Sequence, residues 1–220
     1  MSPLELELQT VKDNLCDMLD MVQSQLVKCR KAIDEKDVEL AADVIHLEKK
    51  VNIQELSIDR DCENILALYT PVATDLRLVL ATLKISNDLE RIGDNAKSLA
   101  RFIKTNIKKV PGDLLNEYHL TDMLDTLTGM LHDMGQALRK DDTRLARKTA
   151  KKDEVLNAHN KKAVKTTAKL IKENPGEAKA LLKLFAITRN LERAGDLTKN
   201  IAEEIVFHIE AKVVKHTKEK

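Results

Sequence analysis

LERIGD at residues 89–94 and LERAGD at residues 191–196 are one hexapeptide carried twice, with Leu, Glu, Arg, Gly and Asp kept in register. Residues four apart share a helix face, so Glu90 lies over Asp94 and Glu192 over Asp196. Like charges at that spacing repel by about 0.2–0.5 kcal/mol on an exposed helix, and a glycine inside a helix costs about 1 kcal/mol. Two unfavourable choices made twice point to a duplicated unit with a purpose at this place. The register extends outward: aligning Glu90 with Glu192 also aligns Ile85 with Ile187, Lys97 with Lys199, Ala100 with Ala202 and Ile103 with Ile205.

Working outward, prolines at 3, 71, 111 and 175 divide the chain into long tracts, since each removes a backbone donor and disfavours helix at the residue before it. Apolar residues recur at spacings of three and four from Leu4 to Ile33, then stop at the polar cluster 34–37. The pattern predicts helices over about 4–33, 38–69, 72–108, 113–140, 143–173 and from 177 into the lysine-rich end. Gly129 and Gly135 weaken the fourth, and Asp141-Asp142-Thr143 form a turn and N-cap before the fifth. Six helices fall as three plus three, with the hexapeptide in the third of each set. Long helices with short connections imply small crossing angles, about 20°. The expected fold is therefore all-α: two tandem antiparallel three-helix bundles related by an internal repeat, at residues 1–110 and 111–220. One continuous six-helix assembly remains the alternative.

Composition agrees with this and narrows the function. The 220 residues are 43% hydrophobic and 2% aromatic, with 6 Gly and 4 Pro, which is the make-up of helices with a sizeable core. A net charge of +1 with both signs interspersed gives no reason to propose nucleic acid. The basic stretch 139–172 contains no aromatic residue, which argues against stacking on single strands and fits a solvated face. Cys16, Cys29 and Cys62 have no paired spacing and fit a reducing compartment as small buried hydrophobes. No apolar run is long enough to span a membrane and no signal pattern opens the chain, so a cytoplasmic protein is expected.

Several apolar stripes turn acidic along their helices. The third helix reads Leu76, Leu80, Leu83, Asn87, Glu90, Asp94, and the sixth reads Ala178, Leu182, Phe185, Arg189, Glu192, Asp196, Lys199, Glu203. The second leads from Val38, Ala41 and Ile45 to Glu48, Asn52, Glu55 and Asp59, and the fifth carries a thinner version, Asp153, Asn157 and Asn160. If neighbouring helices are antiparallel, these oxygen-bearing stripes face each other. Clustered carboxylates raise one another's pKa, and a cation removes the conflict; an oxygen-only set suits Mg, Ca, Mn or ferric iron. Spacing alone favours a solvated face screened by Arg91 and Arg193. No duplicated Glu-x-x-His, phosphate loop, HExxH or GxSxG is present, and the 6 histidines, among them His46, His132 and His216, do not cluster in sequence.

PVATDLR at residues 71–77, the two LER-x-GD copies, and NIAE at residues 200–203 together resemble the PhoU family of phosphate-uptake regulators over nearly the whole chain. That resemblance implies a cytoplasmic, often homodimeric, all-α protein of two repeats without enzymatic activity. It implies an adaptor between the ATPase subunit of a phosphate ABC transporter and a sensor histidine kinase, touching the membrane only through them. Such an adaptor is a negative regulator of uptake and of the phosphate-starvation response. Some members hold multinuclear iron or zinc through acidic E/D-x-x-x-D motifs, which map here onto Glu90 and Asp94, Glu192 and Asp196, Glu48 with Asn52, and Asp153 with Asn157. Asn52 and Asn157 stand where the motif has a second acid, and Ser98 and Arg101 stand in the first repeat where the second has Asn200 and Glu203. Glu203 makes the second copy the better equipped. Two other functions compete: a helical metal store or carboxylate-metal enzyme, and a regulator of a different anion transporter.

Overall fold

Short polar side chains set the helix ends. The computed structural model, which describes residues 2–108 and 110–212, begins with α1, Pro3–Glu35, where Ser2 and Glu5 form a reciprocal capping box that satisfies two donors a bare helix end leaves orphaned. Lys36 turns left-handed (φ 52°), and Asp37 caps α2, Val38–Tyr69, by accepting from the N–H groups of Glu39 and Leu40. Thr70, again left-handed, and Pro71 separate α2 from α3, Ala73–Asn106. The first three helices thus follow the hydrophobic pattern. The lysine-rich end, with His216, lies outside the described residues.

The second half departs from the expected six helices at two places. The helix predicted from 113 to 140 is divided into α4, Gly112–Glu117, and α5, Leu120–Lys140. Neither Gly129 nor Gly135 causes the break; His119 does, in a left-handed conformation (φ 51°). Its neighbour Tyr118 is wholly buried, with its hydroxyl 2.7 Å from Thr167 Oγ1 and donating to the Leu181 carbonyl at 3.3 Å, so anchoring this ring redirects the chain. The helix predicted from 143 to 173 is divided into α6, Thr143–Ala150, capped by Asp142, and α7, Asp153–Glu173. At that break Asp133 of α5 accepts from Thr149 Oγ1 and pairs with Lys152 Nζ at 2.8 Å, pinning the end of α6 while α7 turns toward the last helix. A 3-10 turn, Pro175–Glu177, leads into α8, Ala178–Glu210.

The described residues are all-α, in two tandem bundles: α1–α3, and α5 with α6, α7 and α8. The bundles are not separate bodies. α1 packs on α5 and α3 on α8, so that one hydrophobic core runs through both repeats. Ion pairs Lys12–Asp141 (2.8 Å), Arg139–Asp20 (2.6 Å) and Arg30–Asp125 (3.0 Å) tie the first pair of helices. Between α3 and α8, Arg77 donates to the His208 carbonyl, Lys84 meets Glu204 and Asn190 donates to Ser98. As numbers rise along α3 they fall along α8, so the helices are antiparallel and related by a pseudo-two-fold axis. The hexapeptides meet there: Arg91, Asp94, Asn95, Arg193, Asp196, Leu197 and Asn200 line a shared cleft.

Candidate functional site

Each repeat brings its acidic stripes together, and each does so differently. In the first, α2 presents Glu48, 3% exposed, to Glu90 and Asp94 of α3, and one oxygen of each lies within 4.8 Å of the others. Asn52 donates its amide to Glu48 Oε1 at 2.8 Å. Lys97, one turn beyond Asp94, places its ammonium 2.7 Å from the same Oε1 and 3.5 Å from Asp94 Oδ1. Burial pushes the Glu48 carboxyl upward, but the Lys97 and Asn52 hydrogen bonds outweigh it and hold Glu48 below its ordinary value. Glu90 has no such hydrogen-bonded partner among the described residues: burial, followed by the charges of Asp94, Glu55 and Glu48, raises it against the weaker pull of Lys97. The remaining part of the α2 stripe, Glu55 and Asp59, lines a separate cleft with Lys84, Asn87, Asp88 and Glu204.

In the second repeat Asp153 opens α7 and is also 3% exposed. Asn157 donates to its Oδ2 at 2.8 Å, while Oδ1 is buried with no hydrogen-bond partner. Burial, then repulsion from Asp196, pushes Asp153 up to about 6. Glu192 is raised by burial and by Asp196, against an Asn160 hydrogen bond, and Asn160 Oδ1 is a second buried oxygen without a partner. Lys199, the repeat mate of Lys97, is exposed and forms no hydrogen bond or ion pair among the described residues. Asp196 is exposed, and the half-buried Glu203 makes no hydrogen bond or ion pair there either. The sequence favours the second copy because of Glu203. The structure draws three carboxylates closest in the first copy, Glu48, Glu90 and Asp94.

The duplicated glycines lie under both clusters. A Cβ on Gly195 would overlap Leu156 Cδ1 and stand 2.9 Å from Asp153 Oδ1, so glycine lets α7 come this close to α8 without displacing those buried side chains. A Cβ on Gly93 would meet Gln25 Oε1 at 3.2 Å, the free end of a fully buried side chain whose amide donates to the Val44 carbonyl. Gln25 and the role of Lys97 do not stand out in the sequence pattern. The signal for Lys97 is its place one turn after Asp94; for Gln25 it is a lone polar residue within an apolar stripe.

Other features resolve as expected. Cys16, Cys29 and Cys62 are free and buried. Arg139, Arg147 and Lys152 of the basic stretch form ion pairs, while Lys161, Lys162 and Lys165 face solvent. Two histidines far apart in sequence do meet, His119 and His159, with ring centroids 4.5 Å apart. Among the described residues no helix is long and apolar enough to cross a membrane.

Among the described residues only Glu48, Glu90 and Asp94 bring three ligand oxygens within 4.8 Å of one another; in the second repeat Asp153, Glu192 and Asp196 do not approach so closely, and what favours a hard divalent cation there is the buried, unpartnered oxygen on each of Asp153 and Asn160. In the first repeat the position is already met by an ammonium.

Two stretches of the chain, residues 15–103 and 120–205, match the model of the PhoU domain, one over each repeat. The chain is 31% identical over 211 residues to a phosphate-specific transport system accessory protein PhoU homolog of Aquifex aeolicus, covering 96% of this chain and 94% of the relative. It is 30% identical to phosphate-specific transport system accessory protein PhoU of Escherichia coli, covering 96% and 86%. The crystal structure of PhoU from Pseudomonas aeruginosa superposes with a TM-score of 0.88 at 29% identity, covering 94% and 99% of the two chains. The regulatory protein PhoU from Streptococcus pneumoniae gives 0.83 at 25%, covering 96% and 99%. Two matched domains, one per repeat, with the duplicated hexapeptide at the junction of both, place this chain in the PhoU family.

Proposed function

We propose that this protein is a negative regulator of phosphate uptake and of the phosphate-starvation response, acting as an adaptor between a phosphate ABC transporter and a sensor histidine kinase. The observation that carries the reading is the match of both repeats, over nearly the whole chain, to accessory proteins of phosphate-specific transport. Family membership supports the coarser part, a role in regulating phosphate transport. The ATPase subunit and the kinase as direct partners, a homodimer, and a place on the cytoplasmic side are the finer parts. The clusters suit an adaptor in that they supply charge and fasten helix to helix. A metal in the second repeat would be an accessory that neutralises Asp153 and Glu192 and fastens α7 to α8.

Deleting the gene is expected to switch on phosphate-starvation genes while phosphate is abundant, and re-expression of the full chain to silence them. Normal repression in the deletion strain sinks the proposal.

A further inference from the structure

We propose that Lys97 is the resident cation of the first repeat: its ammonium holds the place among Glu48, Glu90 and Asp94 that a metal ion would need, so the two repeats differ in what neutralises them. The three carboxylates approach within 4.8 Å, a separation that a hard divalent cation with oxygen ligands at about 2.0–2.6 Å can bridge. Glu48 Oε1, however, already accepts from Lys97 Nζ at 2.7 Å and from Asn52 Nδ2 at 2.8 Å. Two donors fill the acceptor positions of that oxygen, so an ion could take Glu48 only through Oε2, beside the ammonium. The ammonium also reaches Asp94 Oδ1 at 3.5 Å, so it straddles α2 and α3 as a bridging ion would. A divalent ion on the same oxygens would sit beside the ammonium and be repelled by it, while the tether keeps the lysine at high local concentration.

The second repeat supplies the contrast. Its lysine, Lys199, has the same register and acts on Asp153 by charge, but it is exposed and makes no hydrogen bond or ion pair to it, so that among the described residues the buried Asp153 keeps an oxygen without a partner. One duplicated arrangement has therefore been closed by its own side chain and the other left open. In the first repeat Lys97 does permanently what a bound ion would do reversibly.

The test uses the full chain and Mn2+ as probe, followed by electron paramagnetic resonance, with Asp153→Asn present throughout to remove the second-repeat cluster. With Lys97 intact this chain is expected to bind no Mn2+ through Glu48. Adding Lys97→Met should create one site at least tenfold tighter than anything in the Asp153→Asn chain, and adding Glu48→Gln should abolish it. Lys199→Met in the same background should create none, which separates occupancy of the site from a general change in charge. Glu48-dependent Mn2+ binding with Lys97 in place, or no gain on its removal, overturns the proposal. Should Lys97→Met not fold, the Asp153→Asn chain still decides it. The NMR signals of the Lys97 ε-methylene are expected to stay in place in millimolar Mg2+, and their displacement overturns the proposal.

Discussion

Glu48 and Asp153 begin equivalent stripes, are equally buried, and each accepts from an asparagine one turn on, yet their carboxyl groups shift in opposite directions. The difference is that Lys97 hydrogen-bonds Glu48, whereas Lys199 acts on Asp153 only through its charge and does not offset the burial. Because Asp153 is pushed up to about 6, the folded chain holds a proton between about pH 4 and 6 that the unfolded chain has released. This contribution is most favourable below that window and is lost as pH rises through it, by up to about 3 kcal/mol. Asp153→Asn should flatten that slope. Urea unfolding at pH 4.5 and pH 7.5 in a chelator checks it; an unchanged slope would mean the carboxyl is not strained in the native chain. Glu90, Asp94, Glu192 and Asp196 were legible in sequence because the hexapeptide repeats. The opposite states of Glu48 and Asp153 were not, because the position of a lysine ammonium depends on which neighbouring helix it finds.

At the scale of the helices, the breaks that prolines impose were readable and those that packing imposes were not. Pro71 and Pro175 carry their own steric rule. By contrast, the turn at His119 follows from burial of Tyr118 against α7 and α8, and the turn at Lys151 and Lys152 from the hold of Asp133 on the end of α6. The two glycines of the hexapeptide look identical in sequence, but they face different neighbours. Gly195→Ala drives a methyl into Leu156 and toward Asp153 and should destabilise by about 1–3 kcal/mol, the cost of overpacking. Gly93→Ala displaces only the amide end of Gln25 and gains helix propensity, so it should stay within about 1 kcal/mol of the parent. Thermal melts of the two variants side by side measure the difference; equal losses would show that α7 yields as readily as Gln25.

For the whole molecule the question is whether the repeats are independent, and the interface answers it. α1 gives one face to α5 and α3 gives one to α8, with core residues such as Leu89, Ile92, Leu191 and Ile201 continuous across the repeats. Cutting between residues 108 and 110 would expose both faces of the first bundle, and apolar surface of that extent drives association. The intact chain should therefore unfold in a single cooperative transition. The separated first half, residues 2–108, should not persist as a folded monomer. Since α8 is the repeat mate of α3 and lies antiparallel to it, the surface that α3 has lost is best imitated by the α3 of a second copy, related by a true two-fold axis in place of the pseudo-two-fold one. Light scattering on the isolated half is expected to give a dimer or larger species at micromolar concentration, and denaturation of the full chain a single midpoint by circular dichroism. A half-chain that is monomeric and melts cooperatively would mean that each repeat carries a sufficient core of its own, and that the α1–α5 and α3–α8 contacts join two finished domains.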